Sequence, residues 1–333
     1  MRITWLACCG VLLAGCLGGD DGAATASEEQ AVYGPVGPYF TADEFFNTDV
    51  SAVAPAANSA QIIAALNSAG GWGNSNKMQI DFALDVLTAT PTTPYDSFTR
   101  TEDWYSPDCD YVTVPVPAGG NIEGNPGYAC TDDGDCHLLV NDAAHGKLYE
   151  MYRADIEGGT FYGGCLAVWT EATAYPRALR GMQCTSADAA GFPIAPLLFT
   201  ADEVHAGAID HAIRFILPNS RIKKGFVAPA THATNTTGTG NLPYYGVHLR
   251  LRASYPLSSL TPGAQVVARA MQKYGMYLAD GGNIALTAQS DKHTTNKWTG
   301  LLGSHDLSAL KVTDFDVIDH GAYTPLTGNC VRQ

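Results

Sequence analysis

The chain has little positive charge. Only 19 of its 333 residues are Lys or Arg, against 33 Asp or Glu, and the formal net charge is −14. Such a chain does not complement a phosphate backbone, which excludes nucleic acid as a partner. Beyond residue 17, no stretch has the roughly 18 consecutive apolar residues that cross a bilayer. The sequence also lacks the G-x-S-x-G elbow, the P-loop, the H-E-x-x-H helix and the dinucleotide-binding fingerprint, which excludes the common forms of those chemistries.

No two cysteines are spaced as C-x-x-C, which disfavours a structural zinc site. Of the nine cysteines, three fall within the first 16 residues. The other six are an even number, which predicts three disulfides in an exported chain and leaves no thiol nucleophile. Sequence alone leaves their connectivity open, and our assignment pairs Cys130 with Cys136, Cys165 with Cys184, and Cys109 with Cys330.

The N-terminus has the pattern of an exported protein. Arg2 precedes an apolar run from Trp5 to Leu17, which contains Leu13-Ala14-Gly15-Cys16. A charged start, a short apolar stretch and small residues before a cleavage point are typical of a secretory signal. The Leu-Ala-Gly-Cys sequence resembles the lipobox of bacterial lipoprotein signal peptides, which implies cleavage before Cys16 and acylation of that cysteine.

We therefore predict a signal peptide at residues 1–15, followed by the acylated cysteine and a flexible tether at residues 16–36. The acyl chains make a membrane the expected partner and hold the protein outside the cytoplasm, with the outer membrane or the cell surface favoured. Residues 37–333 contain no clear linker, so we predict a single β-rich domain there.

Turn residues and alternating apolar positions favour strands. The chain has 35 Gly and 18 Pro, and every second residue from Met78 to Val86 is apolar, as in a half-buried strand. Further strands are predicted at residues 111–116, 137–141, 147–153, 165–170, 211–217, 246–253, 284–289 and 314–318. One helix is predicted from Asn58 to Ala69, and another is capped by Thr261 and ended by Gly281-Gly282. The predicted fold class is mainly β, an antiparallel two-sheet sandwich of jelly-roll type with two or three short helices.

The five residues Phe-Thr-Ala-Asp-Glu occur twice, at 40–44 and at 199–203. In each copy Thr precedes Glu by three residues, which is the spacing of a capping box. Both copies are therefore predicted to begin a helical turn. This structural role accounts for Glu203, which we do not assign to catalysis.

Several motifs resemble those of a widespread group of exported bacterial hypothetical proteins. The pattern is TSADAAGxPIxP, followed by DEV and HAxRF, and it runs from Cys184 to Phe215. The further similar segments are residues 46–49, 137–140, 148–152 and 314–317. The resemblance covers most of the mature chain, which supports the single domain, and it implies no catalytic residue.

Five residues are candidates for proton transfer, namely His137, His211, His232, Glu150 and Asp188. An imidazole titrates near neutral pH, and desolvation on a sheet face beside aromatic rings raises the pKa of a carboxyl. Each residue also has a structural interpretation. The histidines fit packed core positions, Glu150 fits a charge on an edge strand, and Asp188 fits a turn cap.

A second group is a candidate for substrate binding. His248, Arg250 and Arg252 alternate with apolar residues and so share one strand face, and Arg214 lies on another predicted strand. A row of like charges needs an anion or neighbouring carboxylates to neutralise it. The pattern predicts either a groove for an acidic polysaccharide, whose carboxylates arginine binds, or ion pairs with adjacent strands.

Metal binding has two sequence-based interpretations. The acids within residues 132–135 suit either Ca²⁺ or a solvated loop. His137, His211 and His232 are alternative ligands of a metal-dependent site, although no spacing singles them out. We expect no cofactor and leave a bound metal ion as the alternative.

Two functions follow from these patterns. The first is a lipid-anchored enzyme that acts on polysaccharide, as a glycoside hydrolase or a uronate lyase. The alternative is a non-catalytic surface lipoprotein that binds glycan or another protein through exposed tryptophans. An enzyme needs ionisable groups that converge in one pocket, whereas a binding module needs only an aromatic platform. The tryptophans considered for that platform are Trp72, Trp104, Trp169 and Trp298.

Overall fold

The computed structural model of the protein describes residues 39–318 and 321–333. The predicted signal peptide, Cys16 and the tether lie outside the described residues. Within these two ranges, every helix is too short or too polar to span a bilayer. The described chain is mainly β, as the sequence predicts.

Short strands make up most of the regular structure. They are β1 (Ile80–Leu84), β2 (Val86–Thr88), β3 (Tyr95–Asp96), β4 (Thr99–Arg100), β5 (Val114–Pro115), β6 (His137–Asp142), β7 (Lys147–Tyr152), β8 (Asp155–Glu157), β9 (Thr160–Gly163), β10 (Cys165–Thr170), β11 (Ile213–Leu217), β12 (Lys223–Phe226), β13 (Tyr244–Tyr245), β14 (His248–Leu251), β15 (Met276–Gly281), β16 (Leu286–Gln289) and β17 (Phe315–Ile318). The helices are α1 (Ser59–Ser68), α2 (Gly73–Asn76), α3 (Ala201–Ala206) and α4 (Pro262–Lys273).

The largest sheet has six strands in the order β1-β16-β11-β15-β14-β17. It is mixed rather than antiparallel: β1 runs parallel to β16, and β11 runs parallel to β15, while β14 is antiparallel to both of its neighbours. Every residue of β14 and β16 is buried. Strands that are covered on both faces suit a mixed or parallel sheet, and that burial explains why the antiparallel prediction was wrong for this sheet.

The second sheet has the order β10-β7-β6-β2. Its centre is the antiparallel pair β6–β7, in which His137 lies opposite Tyr152 and Leu139 opposite Glu150. Three small sheets, β12–β13, β3–β5 and β4-β9-β8, complete the strand pairing of the described residues. The main apolar cluster includes buried residues of both larger sheets, such as Phe215 from the first and Trp169 from the second.

The tryptophans are mostly core residues. Trp72, Trp169 and Trp298 are buried, and only Trp104 is partly exposed. The indole N–H of Trp72 donates to the Leu310 carbonyl at 2.9 Å, as expected of a buried ring with one polar atom. The prediction that these four tryptophans form an exposed platform is therefore wrong for three of them.

The three disulfides include only one of the predicted pairs. Cys130–Cys136 is confirmed, but the other bonds are Cys109–Cys165 and Cys184–Cys330. Backbone contacts explain why these two pairs differ from the predicted ones. The Asp110 N–H donates to Leu166 O on β10, and the Val331 N–H donates to Met182 O, so each cysteine lies beside a partner that spacing does not identify.

Helix α1 agrees with the prediction to within one residue at each end, whereas α4 ends earlier than predicted. The apolar stripe continues beyond Lys273, but Gly275 has φ of +74° and turns the chain into β15. Leu278, assigned to the helix from its spacing, lies in that strand. A left-handed glycine commonly ends a helix.

The two copies of Phe-Thr-Ala-Asp-Glu have different structures. In the second, Thr200 Oγ1 accepts from the Glu203 N–H at 3.1 Å and Glu203 Oε2 accepts from the Thr200 N–H at 2.9 Å, so the capping box begins α3 as predicted. In the first, the Glu44 carboxylate instead accepts from the Tyr175 N–H at 2.6 Å. The prediction of a second capping box was wrong because a distant backbone group takes that carboxylate.

Candidate functional site

An open cleft of about 440 Å³ lies among residues of both larger sheets. Its lining includes the start of β6, the end of β15, Arg214 and Ile216 within β11, and the loop at residues 185–189. The cleft is acidic, since five carboxylates line it against one guanidinium and two imidazoles. The carboxylates are those of Asp81, Glu123, Asp135, Asp188 and Asp280.

Four of the residues singled out from the sequence line this cleft: His137, Asp188, Arg214 and His232. The two histidines hold the backbone on either side of Asp188. His137 Nε2 lies 3.1 Å from Ala187 O, and His232 Nδ1 lies 2.9 Å from Ala189 O. The segment that carries the aspartate is thus fixed through both neighbouring carbonyl groups.

Arg214 connects two carboxylates across the cleft wall. Its Nη2 lies 2.6 Å from Asp188 Oδ1 and 3.9 Å from Asp280 Oδ2. Its Nη1 donates to Thr287 Oγ1 at 2.8 Å. Arg214, Asp280 and Thr287 lie on β11, β15 and β16, which are neighbours in one sheet, and Asp188 joins them from its loop. One guanidinium therefore compensates the charge of two carboxylates.

Burial dominates the protonation of both acids. It raises the pKa of Asp188 to about 7, although Arg214 opposes the change. It also raises the pKa of Asp280, again against Arg214. A second acid near one guanidinium is only partly compensated, so the two carboxyls titrate together and retain a proton at higher pH than a free aspartic acid does.

His137 is held as a cation. Burial lowers the pKa of its imidazole, but the Glu123 carboxylate, with Oε2 2.6 Å from Nδ1, outweighs burial and raises the pKa to about 9. The protonated ring then donates one N–H to Glu123 and the other to Ala187 O. With both nitrogens engaged, His137 orients the Asp188 segment and has no lone pair for proton transfer.

His232 has the opposite character. Burial lowers the pKa of its imidazole, so the ring is neutral near pH 7. Its Nδ1–H donates to Ala189 O, and this tautomer leaves a lone pair on Nε2. The residue lines the cleft. His232 is therefore the imidazole of the cleft that has the protonation state of a general base.

The other two proton-transfer candidates lie elsewhere. Glu150 is fully buried, and its carboxylate accepts from the Ile194 and Ala195 N–H groups and from the Trp169 indole at 2.8 to 2.9 Å. Burial raises the pKa of this carboxyl, while those donors oppose the change. Glu150 thus anchors the chain after Pro193, and it is not an edge-strand charge.

His211 lines a separate pocket of about 290 Å³. Its Nε2 lies 3.1 Å from Glu203 Oε1, and its Nδ1 lies 2.8 Å from Ala212 O. Burial lowers the pKa of this imidazole, but the Glu203 contact outweighs burial and the net pKa is raised. The ion pair ties the start of the β11 segment to α3, away from the Asp188 cleft.

The basic row on β14 is largely internal. His248 is buried with Nε2 2.7 Å from Tyr274 O, and Arg250 Nη1 donates to the carbonyls of Val50 and Val53. Arg252 is half exposed and donates to Asp316 at 2.8 Å. The row is thus neutralised by carbonyl groups and a neighbouring strand, which is the ion-pair alternative rather than an open groove.

Sequence reasoning missed three acids of the cleft, Asp81, Glu123 and Asp280. Asp280 was placed near the end of the predicted helix, and only the Gly281-Gly282 that follows it marks the end of a strand, where sites are often built. Glu123 lies in a long loop, and no motif identifies it. Their proximity to Arg214 and His137 depends on sheet order, which spacing does not specify.

No group of three or more His, Cys, Asp or Glu side chains in residues 39–318 and 321–333 is arranged to hold a metal ion. His211 lies in a different pocket from His137 and His232, so the three do not form the alternative metal site. Comparisons of the chain with protein-family models, with curated proteins and with solved structures found no match.

Proposed function

We propose that the protein is an exported, lipid-anchored hydrolase that cleaves glycosidic bonds of a polysaccharide in the Asp188 cleft. The observation that carries the proposal is the contact of one guanidinium, Arg214, with both Asp188 and Asp280 on the wall of an open cleft. A carboxyl that keeps its proton near neutral pH is the donor that glycosidic cleavage requires.

The residues of the cleft have separate roles in the proposed reaction. Asp280 is the more exposed acid, and it donates its proton to the glycosidic oxygen as the bond from that oxygen to the anomeric carbon breaks. A water molecule adds to the carbon and gives a proton to Nε2 of His232. The proton then passes through solvent from His232 back to the carboxyl, which restores both groups. Asp188 and Arg214 hold Asp280 and set its charge.

The charge of the cleft favours a neutral or amino-sugar polymer. Five acidic side chains face two cations, Arg214 and His137. The cleft stays negative even when Asp188 and Asp280 both hold a proton, so a polyanion is repelled. A uronate lyase needs a guanidinium that is free to neutralise the sugar carboxylate. Arg214 is already paired with two acids, and Arg250 donates to backbone carbonyls. Hydrolysis therefore fits better than elimination.

The test is an assay of the full chain, extracted from membranes, on neutral, amino-sugar and uronate polysaccharides. New reducing ends are expected from the first two classes. Asp280→Asn should lower kcat/KM by about 100-fold or more, the usual contribution of a general acid. The matched control is Asp96→Asn, an exposed aspartate on β3.

Three outcomes contradict the proposal. If no polymer is either cleaved or bound, the cleft has another substrate. If a polymer is bound but not cleaved, and Asp280→Asn leaves that binding intact, the non-catalytic lipoprotein is the better description. Absorbance from an unsaturated uronate would favour the lyase instead.

A further inference from the structure

Two exposed aromatic rings lie on the segment that borders the cleft. Tyr105 is 52 % exposed and Tyr111 is 55 % exposed. Tyr105 also lines the cleft itself. Trp104, the residue before Tyr105, has its ring centre 5.6 Å from that of Tyr111, so one indole lies between the two exposed tyrosines in this segment. Large rings are rarely left exposed in a group unless they bind something.

The segment that carries these rings is firmly held. Cys109 is bonded to Cys165 at the start of β10, and the Asp110 carboxylate accepts from Arg180 at 2.6 Å and from Arg332 at 2.8 Å. Little conformational entropy is therefore lost when a ligand binds to it, which is the advantage of a preorganised surface.

The same segment is joined to the catalytic loop. The Asp108 carboxylate accepts from the Thr185 N–H at 2.8 Å, three residues before Asp188. Tyr105 O accepts from the Cys109 N–H at 2.9 Å. A ligand that contacts Tyr105 thus lies on a surface continuous with the cleft, because one short stretch of chain contributes to both.

A stack of side chains supports the outer part of this surface. The Arg100 guanidinium lies 3.8 Å from the centre of the Tyr111 ring and 4.7 Å from that of Trp104. Phe98 is buried behind them, 5.2 Å from Tyr111 and 5.8 Å from Trp104. Within the described residues, Tyr105 has no such ring partner, and about half of its surface is exposed.

We propose that Tyr105 and Tyr111 form an aromatic platform that binds a polysaccharide chain as it leaves the cleft. The proposal rests on the proposed function and specifies its substrate as a polymer longer than the cleft. Sugar rings present apolar C–H faces that pack on aromatic rings, while tyrosine hydroxyls and Arg100 bond to sugar hydroxyls. The continuity of the platform with the cleft favours this occupant over a second copy of the chain.

The test uses Tyr105→Ala and Tyr111→Ala, with Tyr323→Ala as the matched control, since Tyr323 is an exposed tyrosine on a different pocket. Apparent KM for the polymer should rise by about tenfold per platform ring, the equivalent of about 1.4 kcal/mol. The kcat for the polymer should stay near wild type in Tyr111→Ala. Both constants for a disaccharide or trisaccharide should also stay near wild type in this variant, because Tyr111 lies outside the lining of the cleft.

Binding without catalysis separates this proposal from the proposed function. In an Asp280→Asn background, pull-down on the insoluble forms of the same neutral polymers should weaken with Tyr105→Ala and not with Tyr323→Ala. The platform is wrong if the tyrosine variants bind the polymer as tightly as the control does. It is also wrong if Tyr111→Ala raises the KM for an oligosaccharide as much as the KM for the polymer. It is also wrong if light scattering shows that the variants dissociate a dimer, since a second copy would then cover the surface.

Discussion

Asp188 and Asp280, the two buried acids that share Arg214, determine how the cleft responds to pH. Burial raises the pKa of Asp188 to about 7, and that of Asp280 rises for the same reason. Catalysis that uses the protonated form of Asp280 should therefore persist above the usual pH range of an aspartic acid and decline as pH rises further. The measurement is kcat/KM of the wild-type chain from pH 5 to pH 9, and a rate that stays constant up to pH 9 would contradict the assignment.

His137 should contribute to stability in a pH-dependent way. The pKa of its imidazole rises from 6.5 in the unfolded chain to about 9 in the folded protein. Its contribution, at most about 3 kcal/mol, is then fully present below pH 6.5 and is lost as pH rises through 9. Urea unfolding of His137→Gln from pH 6 to pH 10 should show a smaller decline than wild type.

The control for that experiment is His305→Gln, because His305 is exposed. Its curve should follow wild type throughout. A His137→Gln protein whose free energy of unfolding falls as steeply with pH as that of wild type would mean that the Glu123 contact does not hold a proton on the ring.

At the scale of the element, the repeated pentapeptide allows a matched comparison within one chain. Thr200 caps α3, whereas Thr41 Oγ1 has no hydrogen-bond partner among the described residues. Thr200→Ala should lower the free energy of unfolding by about 1 kcal/mol. Thr41→Ala should change it by less than about 0.5 kcal/mol, since no cap is lost. Chemical unfolding measures both, and equal losses would show that the two turns are equivalent.

The sequence predicts a helix or strand well where apolar spacing and turn residues fit only one type of element. The β6–β7 hairpin has apolar residues and a turn in sequence, and it was placed within one or two residues. The end of α4 was misplaced because an apolar residue such as Leu278 fits both a helix stripe and a buried strand. Only the φ of Gly275 decides between them, and φ is not visible in a sequence.

At the scale of the molecule, the sequence could suggest the participants of the cleft but not their assembly. Asp188, Arg214, His137 and His232 were singled out for their chemistry, and the mixed order of the largest sheet brings them together with Asp280. The sequence gives no information on that order, because pairing such as that of β11 with β15 joins segments about 60 residues apart. Two disulfide pairs were wrong for the same reason.

The lipid anchor is a prediction about the whole molecule that the described residues do not include. Acylation at Cys16 should place the wild-type protein in the membrane fraction, and Cys16→Ser should abolish labelling by a fatty-acid precursor. Cys9→Ser is the matched control, since it removes a thiol from the same apolar run and leaves the lipobox intact. Unchanged labelling of Cys16→Ser would disprove the anchor.

The bond between Cys184 and Cys330 has a consequence for the timing of maturation. Cys184 begins the segment that carries Asp188, and Arg332 nearby contacts Asp110 beneath the tyrosine surface. Synthesis must proceed as far as Cys330, and the thiols must meet an oxidising compartment, before the cleft and its platform are secured. The cleft of this chain would thus stay incompletely held during translation and become fixed only after Cys330 has been made and oxidised.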